Sequence, residues 1–255
     1  MTRPSCPFTG DAKLKHHPEL RLVPRPLCRN GREDDCCACP LAAAAVCRLL
    51  NGSTRSTRRV FARGSHIISA GTKANITGVL KSGFLRIEHV SRHGRRSVLT
   101  LHQPGDLIGN WTGGNETYLI EAATRVELCL HDGNAVTQLL AKDANARWYL
   151  ITELSELAER QRTMLWHLGV LDSRQRIMSF LIDHLSFMPP RCQIDGSALI
   201  RMEVSRQDWA DLTCTTVETV CRTLTDLKNH GFIEPINPQL FKIKNIDALK
   251  KFLAI

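Results

Sequence analysis

Short apolar runs separated by glycines fill the chain between about residues 59 and 130. The runs cover residues 60–61, 66–68, 79–80, 84–87, 98–101 and 126–130, and glycines or turn pairs recur between them. Short strands with regularly spaced turns are typical of a β-sandwich or barrel-like domain. The pattern therefore predicts a β-domain over residues 51–145.

The apolar period changes between residues 146 and 172. Seven positions follow one another in alternating steps of four and three residues, which is the a/d pattern of a coiled-coil seam. These positions are Leu150, Leu154, Leu157, Gln161, Met164, Leu168 and Leu171. A strict a/d stripe is narrower than the apolar face of most core helices. The pattern favours a dimerisation helix over a helix packed only on its own domain, with Gln161 as a polar residue that sets the register.

The C-terminal region, residues 173–255, contains the pattern of two short helices joined by a tight turn. Ser205 is expected to cap the first helix and Thr216 the second, and two apolar segments around residues 237–238 predict a β-hairpin wing. In a winged helix-turn-helix the second helix enters the major groove with its N-terminal residues at the base edges. An ordinary helical hairpin beside a small sheet has the same spacing. The predicted DNA-binding residues are Ser205, Thr216, Val217, Glu218, Thr219, Cys221 and Arg222.

Composition limits the class of protein without locating a site. The chain has 255 residues, enough for one large or two small domains. It has no apolar run of 18 residues and no apolar signal segment at its N-terminus, so we expect no membrane association and a cytoplasmic location. The net charge of +9 permits nucleic-acid binding, but residues 1–63 carry +7 of it and residues 201–255 only +1.

Ten cysteines are many for a cytoplasmic protein, where such thiols bind metals or undergo redox chemistry more often than they form disulfides. Cys36, Cys39 and Cys47 form a C-x2-C-x7-C pattern within an N-terminal segment, residues 1–50, and Cys129 follows in a strand-like run. Four thiolates from two segments can surround one metal centre. The pattern alone allows an iron–sulfur cluster, a structural zinc ion or a metal-free thiol switch. No recognisable catalytic motif competes, so we do not expect an enzyme.

The run Val217-Glu218-Thr219-Val220-x-Arg222 resembles the recognition-helix motif of the CRP/FNR superfamily of bacterial transcription regulators. The order of the predicted elements matches over residues 36–255, and residues 106–109 resemble the family's β-roll turn. The resemblance implies an α+β fold with a cyclic-nucleotide-binding-like β-roll, a long dimerisation helix and a C-terminal winged helix-turn-helix. It also implies a homodimer that binds palindromic TTGAT-like promoter sites in double-stranded DNA, with RNA polymerase as its protein partner.

Within that superfamily, the cysteines are similar to those of the FNR-type oxygen sensors. Those proteins hold a 4Fe–4S cluster on three N-terminal cysteines and one cysteine of the β-roll. The resemblance implies Cys36, Cys39, Cys47 and Cys129 as ligands, with Cys28 or Cys37 as alternatives to Cys36. It further implies activation of genes for anaerobic or microaerobic metabolism. The alternatives are a regulator that responds to nitric oxide or thiol redox state without a cluster, and an iron–sulfur electron-transfer protein, which would leave the helix-turn-helix unexplained.

Three features depart from the family's motifs, and the additional thiols Cys28 and Cys37 are one of them. Cys221 stands where the recognition helix normally has serine, and a thiol is a weaker hydrogen-bond partner. Cys214 stands at the usual turn glycine, so we expect an altered turn between the two helices. Cyclic-AMP sensors carry an arginine for the phosphate, and this chain lacks it after Gly109. Because a buried phosphate without its cation is costly, we expect no cyclic nucleotide.

Overall fold

A computed structural model describes residues 56–253, apart from residues 73–75, 95, 110, 112–113, 188–190 and 193–196. The described residues fall into two compact units, and the boundary between them along the chain lies between Trp166 and His167. The predicted N-terminal segment, residues 1–50, lies outside the described residues.

The first unit contains two four-stranded antiparallel sheets. Its strands are β1 (Ser56–Phe61), β2 (His66–Ile68), β3 (Ile76–Ser82), β4 (Leu85–Val90), β5 (Arg96–His102), β6 (Leu107–Ile108), β7 (Leu119–Ala122) and β8 (Val126–Asp132). The strand orders are β1-β8-β3-β6 and β2-β7-β4-β5. Apolar side chains from both sheets form one core, which contains Ile68, Leu80, Leu85, Ile87, Ile108, Ile120, Ala122, Val126, Leu128 and Leu130.

Strand β8 shows how the sequence pattern separates the two faces of a sheet. Successive side chains of a strand point to opposite faces. Val126, Leu128 and Leu130 therefore enter the core, whereas Glu127 and Cys129 lie on the outer face and are half-buried. Since β8 runs between β1 and β3, its outer face is flanked by both neighbouring strands.

Two helices follow the β-domain. The first, α1 (Gly133–Lys142), is capped by Asp132, whose carboxylate accepts a hydrogen bond from the Ala135 amide at 2.8 Å. The second, α2 (Ala144–Val170), has 27 residues and occupies the region where the heptad pattern predicts a helix over residues 146–172. A second, smaller core lies against these helices and contains Val79, Leu107, Trp111, Val136, Leu139, Leu140 and Leu150. No helix among the described residues is long and apolar enough to cross a membrane.

The predicted seam of α2 divides between two environments. Leu150 packs into the smaller core, and Leu171 lies beyond the helix end and is only 6% exposed. Several apolar side chains of α2 are exposed, and three of them are Ile151, Leu154 and Leu165, at 55%, 41% and 67%. They belong to a second stripe with the same steps of three and four, which consists of Ile151, Leu154, Ala158, Gln161, Leu165 and Leu168. The predicted and observed stripes share Leu154, Gln161 and Leu168.

The second unit combines four helices with a small antiparallel sheet. The helices are α3 (Ser173–Phe187), α4 (Arg206–Leu212), α5 (Val217–Asn229) and α6 (Ile246–Leu253). The strands are β9 (Arg191–Cys192), β10 (Ala198–Arg201), β11 (Ile233–Pro235) and β12 (Leu240–Ile243), in the order β11-β12-β10-β9. The Trp209 side chain of α4 is fully buried and lies 5.5 Å from the Phe180 ring of α3, measured between ring centroids.

Candidate nucleic-acid interface and candidate metal ligand

Helix α4 begins with a capping box. The Ser205 hydroxyl accepts a hydrogen bond from the Asp208 amide at 3.1 Å, and the Asp208 carboxylate accepts one from the Ser205 amide at 3.2 Å. Two amides that would otherwise lack a partner at the helix start are thereby satisfied. The Ser205 hydroxyl also donates to Asp208 at 2.6 Å. Ser205, predicted to bind DNA, thus uses its side chain to hold the helix start.

The turn between α4 and α5 keeps a left-handed residue although it lacks glycine. Cys214 has a φ of 49° and is the one non-glycine residue with positive φ in the described part of the chain. Its amide donates to the Asp211 carbonyl at 3.2 Å, and the Thr215 amide donates to the Ala210 carbonyl at 2.9 Å. The structure thus shows how the turn is formed without glycine, since Cys214 itself takes the left-handed conformation and bears the strain that glycine would avoid.

Helix α5 separates a core face from a solvent face. Thr216 caps its start, and the hydroxyl accepts a hydrogen bond from the Thr219 amide at 3.2 Å. The side chains that pack into the core are Val220, Thr223, Leu224 and Leu227. On the opposite side Glu218, Cys221 and Arg222 are exposed, whereas the predicted contacts Val217 and Thr219 are half-buried.

This arrangement suits contacts between the side chains of α5 and the bases of duplex DNA. Arg222 lies one helical turn after Glu218, so both side chains project from the first two turns of α5. A guanidinium can bond both acceptors of guanine in the major groove, and a carboxylate can accept from the cytosine amino group. The two residues together can therefore read a short G·C-containing sequence.

Arg206 is a supporting residue that the sequence pattern alone did not indicate. It follows the Ser205 cap, and its guanidinium donates to the Pro238 carbonyl at the wing tip at 2.8 Å. The same group lies 5.1 Å above the Trp209 ring and 5.0 Å above the Phe241 ring. Burial lowers the pKa of Arg206 below its ordinary value, although the side chain stays charged. Arg206 thus connects α4 to the hairpin of β11 and β12, which corresponds to the predicted wing.

Cys129 is the predicted metal ligand that lies among the described residues. Its thiol is not part of a disulfide, and the residue pairs with Arg58 of β1 on one side and Val79 of β3 on the other. Cys36, Cys39 and Cys47, with the alternatives Cys28 and Cys37, lie outside the described residues. Within the described part of the chain no three His, Cys, Asp or Glu side chains form a group that could hold a metal ion.

Among the described residues, the charged side chains nearest to Cys129 in the strand register are Arg58, Lys81 and Glu127. Glu127, two residues earlier on the same face, forms ion pairs with Arg58 and with Lys81, whose Nζ lies 2.9 Å from the carboxylate. Burial works against ionisation of Glu127, but hydrogen bonds from Lys81 and Arg58 outweigh it and lower its pKa. Burial also lowers the pKa of His131 to about 4, so its ring is neutral at pH 7. Two cations and one carboxylate beside the thiol favour an anionic group.

Two family models match the chain. The Crp-like helix-turn-helix domain matches residues 175–252, and the cyclic nucleotide-binding domain matches residues 58–143. Nitrogen fixation regulation protein FixK of Azorhizobium caulinodans is 31% identical over 198 residues, which are 76% of this chain and 78% of that protein. Transcriptional activator protein FnrL of Cereibacter sphaeroides is 23% identical over 206 residues, which are 78% of this chain and 83% of that protein.

The solved structures agree with the family models. The structure of FixK2 from Bradyrhizobium japonicum matches with a TM-score of 0.70 and 19% sequence identity, over 77% of this chain and 96% of that chain. The predicted fold class, with its β-roll, long helix and C-terminal helix-turn-helix, is confirmed.

Proposed function

The chain belongs to the CRP/FNR family of DNA-binding transcription regulators, and from this membership we propose that it senses oxygen through a 4Fe–4S cluster. Cys36, Cys39, Cys47 and Cys129 would hold the cluster. When bound, the cluster supplies an oxygen-sensitive tie between the N-terminal segment and the β-domain. In this proposal the protein acts as a homodimer that recognises palindromic TTGAT-like sites and activates anaerobic or microaerobic genes through RNA polymerase.

The observation that carries the proposal is the environment of Cys129. Thiolates are the normal ligands of iron–sulfur clusters, and a cluster held by four of them is an anion. Cys129 presents its sulfur on the outer face of β8, between two neighbouring strands. Arg58 and Lys81 outnumber Glu127 there, so the local charge supports an anionic group. The donor type and the charge both fit the proposed cluster.

The proposed dimer depends on the exposed stripe of α2. Ile151, Leu154 and Leu165 are the apolar side chains of that stripe most open to solvent in one chain. A second copy of α2 would cover them in the knobs-into-holes manner of a coiled coil. In such a dimer the two copies of α5 would each bind one half-site of a palindrome, whose half-sites lie about one DNA turn apart.

The test is purification without oxygen, followed by visible spectroscopy, iron and sulfide analysis, and measurement of binding to a TTGAT-N4-ATCAA duplex before and after exposure to air. We expect a coloured protein that binds the duplex and loses both colour and affinity in air. Cys129→Ser should lose the cluster, whereas Cys214→Ser, an exposed cysteine of the turn, should retain it. A metal-free protein that binds equally in both states would contradict the proposal, and a protein with zinc alone would indicate a structural site.

One observation favours a second candidate, a thiol-based response without a cluster. The Cys221 thiol is exposed on α5 beside Arg222, on the face proposed to enter the major groove. Oxidation of a thiol there would place a bulkier polar group between the helix and the bases. If this candidate is correct, Cys221→Ser will make DNA binding insensitive to peroxide, while Cys129→Ser will leave the response unchanged.

A further inference from the structure

A buried hydroxyl lies on the same face of the β-domain as Cys129. Thr77 of β3 is 3% exposed, and its Oγ1 atom has no hydrogen-bond partner among the residues that the structure describes. Leaving a buried hydroxyl without a partner is unfavourable, and such a group calls for a water, an ion or a ligand as its acceptor. Thr77 therefore needs an acceptor that the described residues do not provide.

The strand register places this hydroxyl diagonally opposite the Cys129 side chain. Val79 pairs with Cys129 and Thr77 pairs with His131, so Thr77 and Cys129 share one face of neighbouring strands. Diagonal neighbours of this kind lie about 7–8 Å apart at their Cα atoms and less between their side chains. A group bound to the Cys129 sulfur would lie within reach of Thr77.

Gly78 keeps the two strands in this close register. A Cβ atom at this position would lie 2.5 Å from the Cys129 carbonyl oxygen, so no larger residue fits without moving β3. The backbone on both sides of the site is thus held at a short and defined separation. Thr77 has little freedom to move away from the Cys129 side of the sheet.

We propose that Thr77 is the hydrogen-bond donor to the sulfur of the metal centre, either to the Cys129 thiolate or to a cluster sulfide beside it. The inference rests on the proposed function. Hydrogen bonds to the sulfurs are among the features that set the reduction potential of an iron–sulfur cluster. Donation from Thr77 withdraws electron density from the sulfur, so it raises the potential and slows the attack of oxygen. Thr77 is a positioning and tuning residue and not a ligand.

The experiment compares the full-length wild type with Thr77→Val, which removes the hydroxyl at nearly constant volume, and with Thr77→Ser, which retains it. In air, the visible absorption of Thr77→Val should bleach about tenfold faster, because a hydrogen bond to a charged group contributes about that factor. Resonance Raman spectra supply a readout independent of DNA binding. The Fe–S stretching bands of the wild type and Thr77→Ser should shift in D2O, and those of Thr77→Val should not. Thr57→Val, at a position paired with Leu130, is the matched control.

The metal-free proteins give a second test with the opposite sign. Without the cluster the described residues offer the hydroxyl no acceptor, so Thr77→Val should be the more stable apoprotein, with an unfolding equilibrium constant lowered about fivefold. If Thr77 had only a structural role, Thr77→Val would change the stability of the cluster-bearing and the metal-free protein in the same direction. Equal bleaching and equal D2O shifts in a cluster-bearing wild type and Thr77→Val would overturn the role of Thr77 alone. A wild type that carries no cluster when purified without oxygen would overturn the proposed function as well.

Discussion

The DNA-reading helices and the strand that carries Cys129 are held by contacts of different kinds. In the helix pair, the caps and the turn join residues only a few positions apart, such as Ser205 with Asp208 and Thr216 with Thr219. Around Cys129 the neighbours come from distant strands. The ion pair beside it joins Arg58 to Glu127 across 69 positions of sequence.

This difference means that the two regions depend on their surroundings to different degrees. A capped helix with a left-handed turn is specified largely by its own sequence. A strand face acquires its environment only when other strands pair with it in register. The proposed DNA-binding helices, α4 and α5, are therefore specified mainly by local sequence. The surroundings of Cys129, the proposed sensor residue, depend on the assembled sheet.

The largest expected effect is a loss of DNA affinity, and it tests helix α5 alone. Arg222→Ala should weaken binding to the TTGAT-N4-ATCAA duplex by about 2–6 kcal/mol in a dimer, since each bidentate arginine–guanine contact contributes about 1–3 kcal/mol. Fluorescence anisotropy at fixed salt measures the loss. Arg222→Lys keeps the charge but not the bidentate geometry, and it should also bind weakly. Unchanged affinity in Arg222→Ala would remove Arg222 from the interface.

Trp209→Ala asks whether the two regions fold separately. Loss of this fully buried ring should reduce the free energy of unfolding of the second unit by about 3–5 kcal/mol. Denaturant unfolding, followed by circular dichroism and by the visible spectrum of the reconstituted protein, measures both regions. Trp148→Ala, at a position 64% exposed on α2, should change stability by less than about 0.5 kcal/mol. A parallel loss of colour in Trp209→Ala would show that the sensor depends on the reader.

Leu165→Glu tests the helix that connects the two regions. A charge at this 67% exposed position should weaken a dimer built on the observed stripe by about 2 kcal/mol or more, because two carboxylates would enter an apolar interface. Analytical ultracentrifugation should then show a species near the mass of one chain, 28.6 kDa. Thr163→Glu, on another face of α2, should leave the dimer intact. An unchanged dimer dissociation constant in Leu165→Glu would indicate that the interface uses the predicted seam instead.

Cys214→Gly has the smallest expected effect on stability. It tests whether the turn between α4 and α5 is determined by its own backbone conformation. Glycine relieves the positive φ of 49°, so we expect a gain of about 0.5–1 kcal/mol in the stability of the second unit. Thermal unfolding measures the gain. Cys221→Gly, within α5, should have the opposite sign and cost about 1 kcal/mol. A loss of stability in Cys214→Gly would mean that the thiol makes a contact that offsets its strain.

Patterns in the sequence predicted most of the local structure. The Ser205 and Thr216 caps, the two helices that they begin and the long α2 helix are all present in the structure. Each depends on residues that are close in sequence and on the period of apolar side chains. The positive φ of Cys214 could not be predicted from these patterns, because residues other than glycine rarely adopt it.

The supporting contacts could not be predicted in the same way. Arg206 reaches the wing only because β11 and β12 fold back toward α4, and Thr77 faces Cys129 only through the register of β3 and β8. The division of the α2 seam likewise depends on the packing of Leu150 against Val79 and Val136. A one-residue shift of register would move Thr77 to the other face of its sheet.

By itself, then, the sequence determined the order of the elements, the caps of the reading helices and the identity of Glu218 and Arg222 as the exposed polar pair of α5. These follow from chain-local rules of capping, periodicity and side-chain chemistry. Tertiary structure alone decided which residues surround Cys129, which apolar face of α2 stays exposed, and that the buried Thr77 hydroxyl lacks an acceptor among the described residues. Those properties arise because burial and long-range pairing bring together residues whose separation in sequence carries no signal of contact.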